Sequence, residues 1–179
     1  VNDCDSVSCD FDITVTDNEI PEMTGCPANI TVSTDPGLCS AVVTWVSPVA
    51  TDNCAIQTFT STNASGSVFL KGMTTVTYTA TDIYGNIETC SFVVTVEDVM
   101  PPVFTSCPAD ITLNTDPGTC GAVVSWSLPQ AIDNCNVLPL VASNISGEIF
   151  PVGLSTVTFT ATDDDGNIEI CDFNITVID

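Results

Sequence analysis

The sequence predicts an all-β protein made of tandem antiparallel β-sandwiches, about seven strands each, stapled by disulfides. Three observations predict it. The chain repeats itself: residues 18–98 align without a gap on 99–179, with 42 of 81 positions identical. No stretch carries a helical period, while alternating apolar runs are broken by turn signals about every 8–12 residues. Each copy also holds four cysteines in register, with Cys26 on Cys107, Cys39 on Cys120, Cys54 on Cys135 and Cys90 on Cys171. The length of 179 residues suits two small units better than one large one. A unit of ~80 residues buries a limited core and needs staples. There is no histidine, and no paired C-x2-C spacing that a structural zinc would want. Disulfides and an oxidising, extracellular compartment are therefore expected. The expected organisation is a head, 1–17, and two repeats, 18–98 and 99–179.

The head stays in phase with the repeats: Cys9 falls on Cys90 and Cys171, and Asp17 on Asp98 and Asp179. Phe11, Ile13 and Val15 alternate with Asp12, Thr14 and Thr16, which predicts a strand with one apolar face. A lone strand cannot bury that face or pair its backbone. Either it is the last strand of a preceding repeat in a longer array, or it completes a sheet on a neighbouring molecule by strand addition. Cys4 has no counterpart in either repeat; it closes a small loop with Cys9, or one of the two bonds another chain.

In the first repeat, Pro21 follows the acidic linker Asp17-Asn18-Glu19. Ile30 and Val32 alternate with Thr31 and Ser33 in a first strand. Asp35-Pro36-Gly37 is a turn in which Pro presets φ and Gly takes positive φ. Residues 41–46 read as a second strand, with Trp45 packed between two sheets. Pro48 and Asp52-Asn53 break the run, and residues 56–62 read as a third strand. Asn63-Ala64-Ser65-Gly66 is a turn before a short strand at Val68-Phe69-Leu70. Residues 74–81 are the clearest strand, with Val76, Tyr78 and Ala80 on one face and threonines on the other. After the turn at 82–86, residues 88–97 form the last strand, with Phe92, Val94 and Val96 inward. The second repeat reads the same way, with Trp126, Phe159 and Phe173 in matching places. Leu138-Pro139-Leu140 replaces Gln57-Thr58-Phe59, which predicts a broken third strand. Asp163-Asp164-Asp165-Gly166-Asn167 replaces Asp82-Ile83-Tyr84-Gly85-Asn86.

The motifs CP-x-x-I, the x-V-x-W strand, x-D-N-C, G-x-x-x-V-x-[YF]-T-A-x-D-x-x-G-N and C-x-F-x-V-x-V-x-D together resemble the hyalin repeat (HYR) module over essentially the whole chain. The resemblance implies immunoglobulin-like sandwiches in extracellular adhesive and matrix proteins, no enzymatic activity, and calcium-dependent assembly in part of the family. Four cysteines alone allow three pairings. Family modules that keep only the first and fourth cysteines imply Cys26–Cys90 and Cys107–Cys171, which leaves Cys39–Cys54 and Cys120–Cys135. A long bridge of the first kind stabilises by roughly 4 kcal/mol.

There are 23 acidic residues and one basic residue, Lys71, giving a net charge of −22. Nucleic acid and anionic membranes are poor partners on that ground, while divalent cations and basic surfaces are good ones. The plain alternative is that acidity keeps an extracellular protein soluble. No signal peptide and no apolar run of membrane-spanning length is present, so the chain reads as a mature secreted fragment. Hydrolytic catalysis is poorly supplied without a histidine base, and a glycosidase needs two separated carboxylates in a cleft. The chain is therefore read as no enzyme.

Calcium, which takes six to eight oxygens, is the candidate cofactor. Its candidate ligands are Asp82 and Asn86, Asp163, Asp165 and Asn167, and the linker acid Asp98, with Asp52 and Asp133 nearby in the pattern. The competing reading is that these Asp and Asn side chains simply build turns. Asn29, Asn63, Asn144 and Asn174 begin N-x-[ST] sequons; Asn63 and Asn144 share a register position at a turn, the favoured place for a glycan. The expected role is a structural or adhesive protein of an extracellular fibre, matrix or surface appendage, whose rigid repeats polymerise head to tail through the N-terminal strand. Its partners would be copies of itself, further repeats, or matrix proteins and glycans. The alternative is an adhesin or receptor ectodomain that recognises protein or glycan through its loops.

Overall fold

The computed structural model describes residues 9–179 and contains strands and turns without helices. Cys4, and with it the Cys4–Cys9 pair, lies outside the described residues. Sixteen strands are formed, eight from each repeat. In the first repeat they are β1 (Glu22–Thr24), β2 (Ile30–Ser33), β3 (Ser40–Val43), β4 (Val49–Thr51), β5 (Ile56–Ser61), β6 (Ser67–Leu70), β7 (Gly72–Asp82) and β8 (Ile87–Glu97). In the second they are β9 (Val103–Ser106), β10 (Ile111–Asn114), β11 (Gly121–Val123), β12 (Gln130–Ile132), β13 (Val141–Ala142), β14 (Ile149–Pro151), β15 (Gly153–Thr162) and β16 (Ile168–Ile178).

Each repeat has one four-stranded sheet, ordered β2-β8-β7-β5 and β10-β16-β15-β13, and two two-stranded ladders, β3-β6 with β1-β4 and β11-β14 with β9-β12. The first strand of each long sheet runs parallel to the last: Ile30 pairs Val94, and Ile111 pairs Ile175. The alternation predicted for the long hairpins is the alternation that buries them. Val76, Tyr78 and Ala80 face inward on β7, and Phe92, Val94 and Val96 on β8. In the second repeat Ala122, Val124 and Phe150 from the β11–β14 side close over Val157, Phe159, Phe173, Ile175 and Val177 from the long sheet. Two opposed apolar faces of this kind supply the core of a sandwich.

Three differences from the sequence reading have physical causes. Residues 9–17 form no strand, and Phe11, Ile13 and Val15 stand 77–80% exposed. The alternating pattern is present, but a strand needs ladder partners and none among the described residues pairs with it. The second strand stops at Val43 rather than continuing through Trp45, and β1 and β4 add a short antiparallel ladder where linker and loop were expected. In agreement with the sequence reading, by contrast, the third strand of the second repeat is reduced to Val141–Ala142 after Leu138-Pro139-Leu140.

By its internal contacts the chain divides into two compact units that do not coincide with the repeats. One takes residues through Ala28, Trp45–Ser65 and Thr75–Phe92; the other takes Asn29–Thr44, Gly66–Thr74 and Val93–Asp179. The disulfides respect that division. Cys26 bonds Cys90 in the first unit; Cys107 bonds Cys171 in the second. The local pairs Cys39–Cys54 and Cys120–Cys135 do not form. Cys39 bonds Cys135, with Cα atoms 4.7 Å apart, while Cys54 and Cys120 are exposed thiols, as is Cys9. For the first pair the reason is placement, since Cys39 and Cys54 belong to different units and Cys39 shares its unit with Cys135; for the second, Cys135 is already taken by Cys39, which leaves Cys120 free.

Candidate functional site

The residues singled out for chemistry gather at one kind of corner, built once in each copy. Its base is the turn between the two longest strands. In the second repeat the Asp163 carboxylate, almost wholly buried, accepts hydrogen bonds from the backbone N–H groups of Asp165 (2.9 Å) and Asn167 (2.8 Å), and from Asn167 Nδ2 (2.6 Å). Asp82 does the same in the first repeat, accepting from Tyr84, Asn86 and Asn86 Nδ2 at 2.7–2.8 Å. Gly85 and Gly166 follow with positive φ, which lets each turn close. Burial pushes both carboxyls up, but the Asn amide and the backbone N–H groups outweigh it and hold them below the usual carboxylate range. These two aspartates therefore act as turn builders.

The second corner adds Asp98, Asp133, Asn134 and Cys135 to that base, and the segment from Thr34 to Cys39 meets them. Asn167 Nδ2 reaches the carbonyl of Asp98 (3.1 Å). Buried Asp98 accepts from Thr34 Oγ1 (3.3 Å), from the N–H of Met100 (3.1 Å) and from Asn134 Nδ2 (3.1 Å). Asn134 Nδ2 also lies 3.1 Å from the carbonyl of Leu38, one residue before Cys39. Asp133 Oδ1 caps the N–H groups of Cys135 and Asn136, and Cys135 carries the bridge to Cys39. All of these residues belong to one compact unit.

The first corner repeats the constellation without the bridge. Asp17 stands for Asp98, Asp52 for Asp133, Asn53 for Asn134 and Cys54 for Cys135. Asn86 Nδ2 reaches the Asp17 carbonyl (3.3 Å), Asn53 Nδ2 reaches Asp17 Oδ1 (3.5 Å), and Asp52 Oδ1 caps the N–H groups of Cys54 and Ala55. The Asp17 carboxylate beside it pushes the Cys54 thiol up to about 11.

The triple-acid turn has its own counter-charge. Lys71, the chain's only basic residue, donates from Nζ to Asp164 Oδ1 at 2.6 Å and also to Asp165 Oδ2. The two carboxylates hold the Lys71 ammonium well above its ordinary range. Sequence reading missed this pair, although a signal was there: Val152 replaces Lys71 in the second repeat, while Ile83 and Tyr84 replace the two acids in the first. The cross-repeat bridge was missed as well, because cysteine counting treated each repeat as closed.

Of the predicted calcium ligands, Asp98, Asp163 and Asp165 bring carboxylate oxygens within 4.8 Å of one another. Asp133 joins Asp98 in a second cluster beside Cys135, and Asp17 and Asp52 form its counterpart beside Cys54. Asp17 Oδ2, Asp52 Oδ2 and Asp133 Oδ2 are buried without a protein partner. Oxygen donors of this kind fit a hard cation. Asn86 and Asn167 turn their amide N–H groups to Asp82 and Asp163, so they serve those turns. Among the sequons, Asn29 is exposed and Asn63, Asn144 and Asn174 are half-buried. Asn29 Oδ1 accepts from the N–H of Val93 (2.9 Å), Asn174 Oδ1 accepts from Thr156 Oγ1 (2.9 Å), and Asn144 Nδ2 donates to Glu148 (3.3 Å).

The HYR domain pattern matches residues 16–96 and again 97–177. Hyalin of Strongylocentrotus purpuratus is 38% identical over 176 residues, covering 94% of this chain and 15% of that protein. A sushi, von Willebrand factor type A, EGF and pentraxin domain-containing protein of Rattus norvegicus is 36% identical over 169 residues, covering 90% of this chain and 4% of that protein. The chain therefore spans a small part of these relatives. Among solved structures, human protocadherin-24 EC1-2 overlaps 90% of this chain and 100% of its own, at 19% identity and a TM-score of 0.35. The relatives and three formed disulfides put the chain at an extracellular or surface location. Two tandem matches account for nearly the whole of it, and the chain belongs to the HYR domain family.

Proposed function

We propose that this chain is a non-enzymatic structural and adhesive segment of an extracellular fibre, matrix or surface appendage, in which residues 18–98 and 99–179 serve as rigid modules. The observation that carries the reading is the Cys39–Cys135 bridge, a covalent tie between successive repeats additional to the linker. Such a tie narrows the conformations open to a linked pair, which is what a spacer under load requires. Its proposed partners are copies of itself, further repeats, and matrix proteins or glycans.

Head-to-tail growth through the head is part of the proposal. Phe11, Ile13 and Val15 offer an apolar face that no strand covers among the described residues, which supports β-strand addition to another copy. Calcium is the proposed cofactor, held by Asp98 with Asp163 and Asp165, where carboxylates already converge. Asn63 and Asn144 are the proposed first glycan sites. Electron microscopy with light scattering, with and without calcium, tests the reading. Ordered fibres or growing oligomers support it; a monodisperse monomer in both conditions overturns it.

A further inference from the structure

We propose that Cys54 and Cys120 are the two open halves of the same bridge that Cys39 and Cys135 form. A further repeat of this kind would close them, and in a preparation of this chain that repeat belongs to a second copy. Register is the first argument. Cys120 occupies in the second repeat the place of Cys39 in the first, and Cys54 occupies in the first the place of Cys135 in the second. The bonded pair thus joins the second cysteine of one repeat to the third cysteine of the next. Under the same rule, Cys120 needs the third cysteine of a following repeat, and Cys54 the second cysteine of a preceding one. Both are exposed free thiols.

The surroundings of the two thiols carry the argument further. Cys54 sits in a complete copy of the corner that receives Cys39 elsewhere in the chain, with Asp17, Asp52 and Asn53 in place. What it lacks is the incoming segment: the equivalents of Thr34, whose hydroxyl meets Asp98, and of Leu38, whose carbonyl lies within hydrogen-bond distance of Asn134. Those equivalents exist around Cys120, as Thr115 and Thr119. Thr34 is 7% exposed where its corner covers it; Thr115 is only half-buried. Buried Asp17 Oδ2 has no protein partner at the open corner, whereas Asp98 Oδ2 accepts from Asn134 Nδ2 at the closed one.

The flanking residues change together. Where the bridge is formed, Lys71 meets Asp164 and Asp165. At the two open ends the same register positions hold Val152 on the Cys120 side, and Ile83 with Tyr84 on the Cys54 side. These three are 46–55% exposed. An ion pair on one junction is replaced on both faces of the other by apolar groups, so the open ends match each other. The contact joins unlike faces, so it propagates into chains wherever the rotation between copies does not close a ring.

Each closure forms one S–S bond from two thiols. The bond forms by exchange with a small-molecule disulfide such as oxidised glutathione, whose own S–S bond breaks; the two electrons and the two protons leave with it as two thiols. The inference deepens the head-to-tail reading above and rests on it for direction, but uses different atoms. Strand addition through Phe11, Ile13 and Val15 survives reduction, whereas a Cys54–Cys120 chain does not.

The test uses the full chain with Cys4 and Cys9 replaced by serine, incubated in a glutathione redox buffer. Non-reducing gels and peptide mapping are expected to show a ladder whose new cross-link joins Cys54 to Cys120. Cys54→Ser and Cys120→Ser are each expected to stay monomeric; mixed together, they give a dimer and nothing longer. Cross-links of Cys54 to Cys54 or Cys120 to Cys120, equal dimer from either variant alone, or two free thiols persisting at equilibrium would each overturn the proposal. Assembly that persists after reduction reports strand addition; where mapping of that material before reduction finds Cys54 and Cys120 unlinked, the disulfide chain is overturned.

Discussion

The two tryptophans occupy one register position and have different polar surroundings, which gives a quantitative test of the packing. Trp45 donates from Nε1 to the Tyr78 hydroxyl at 2.8 Å, and that hydroxyl shares a hydrogen bond with Ser47 Oγ at 3.1 Å. In the second repeat Phe159 replaces Tyr78 and Leu128 replaces Ser47. Trp126 keeps its edge-on contacts with Phe150 and Phe173, but its buried Nε1 has no protein acceptor. Tyr78→Phe removes the first acceptor without changing ring packing, and half-burial of Trp45 puts the cost at ~1–2 kcal/mol. Phe159→Tyr with Leu128→Ser rebuilds the triad in the second repeat and should add ~1 kcal/mol. Leu128 is 71% exposed, so little apolar burial is lost with it. For a unit of ~80 residues, each kcal/mol shifts Tm by ~4–8 °C. Variants retaining only one of the two tryptophans let fluorescence follow each repeat separately during urea or thermal unfolding. No loss with Tyr78→Phe, or no gain with the double change, would refute the claim that an unpaired indole weakens the second core.

Three further outcomes follow from the corners. Cys54 should alkylate slowly at neutral pH and faster as pH approaches about 11, and Asp17→Asn should accelerate it; mass-resolved iodoacetamide labelling reads both. The carboxyls of Asp82 and Asp163 are lowered on folding, so their stabilisation is complete above the unfolded carboxylate range, ~4, and is lost as pH falls through the folded value. Asp82→Asn and Asp163→Asn should flatten the acid limb of a stability–pH curve. Lys71→Gln should cost no more than ~1 kcal/mol, because the pair is partly exposed, and the difference should shrink in high salt.

The fold was legible where period and length cooperate. Val76, Tyr78 and Ala80, or Val157, Phe159 and Ala161, alternate over enough residues that only one face can be buried. Glu22–Thr24 and Val49–Thr51 were not legible, because three residues carry no period and their pairing is decided by the rest of the repeat. Phe11, Ile13 and Val15 show the opposite failure: the local pattern is that of a strand, but the partner that would make it one is absent from the described residues. At the corners, Asp82, Asp163, Asn86 and Asn167 could be read from their spacing as turn builders. Cys39–Cys135 could not, since spacing along the chain does not say at which end of a unit each cysteine emerges. The repeat did hold the information, because Cys54 and Cys135 sit in the same corner and only one of them meets a partner.

The claim that successive repeats are tied covalently is tested most directly by non-reducing peptide mapping of the oxidised chain with its thiols blocked before digestion. The account predicts one peptide joining Cys39 to Cys135, beside the Cys26–Cys90 and Cys107–Cys171 peptides, with Cys54 and Cys120 alkylated in the monomer. Recovery of Cys39–Cys54 and Cys120–Cys135 peptides instead would contradict it.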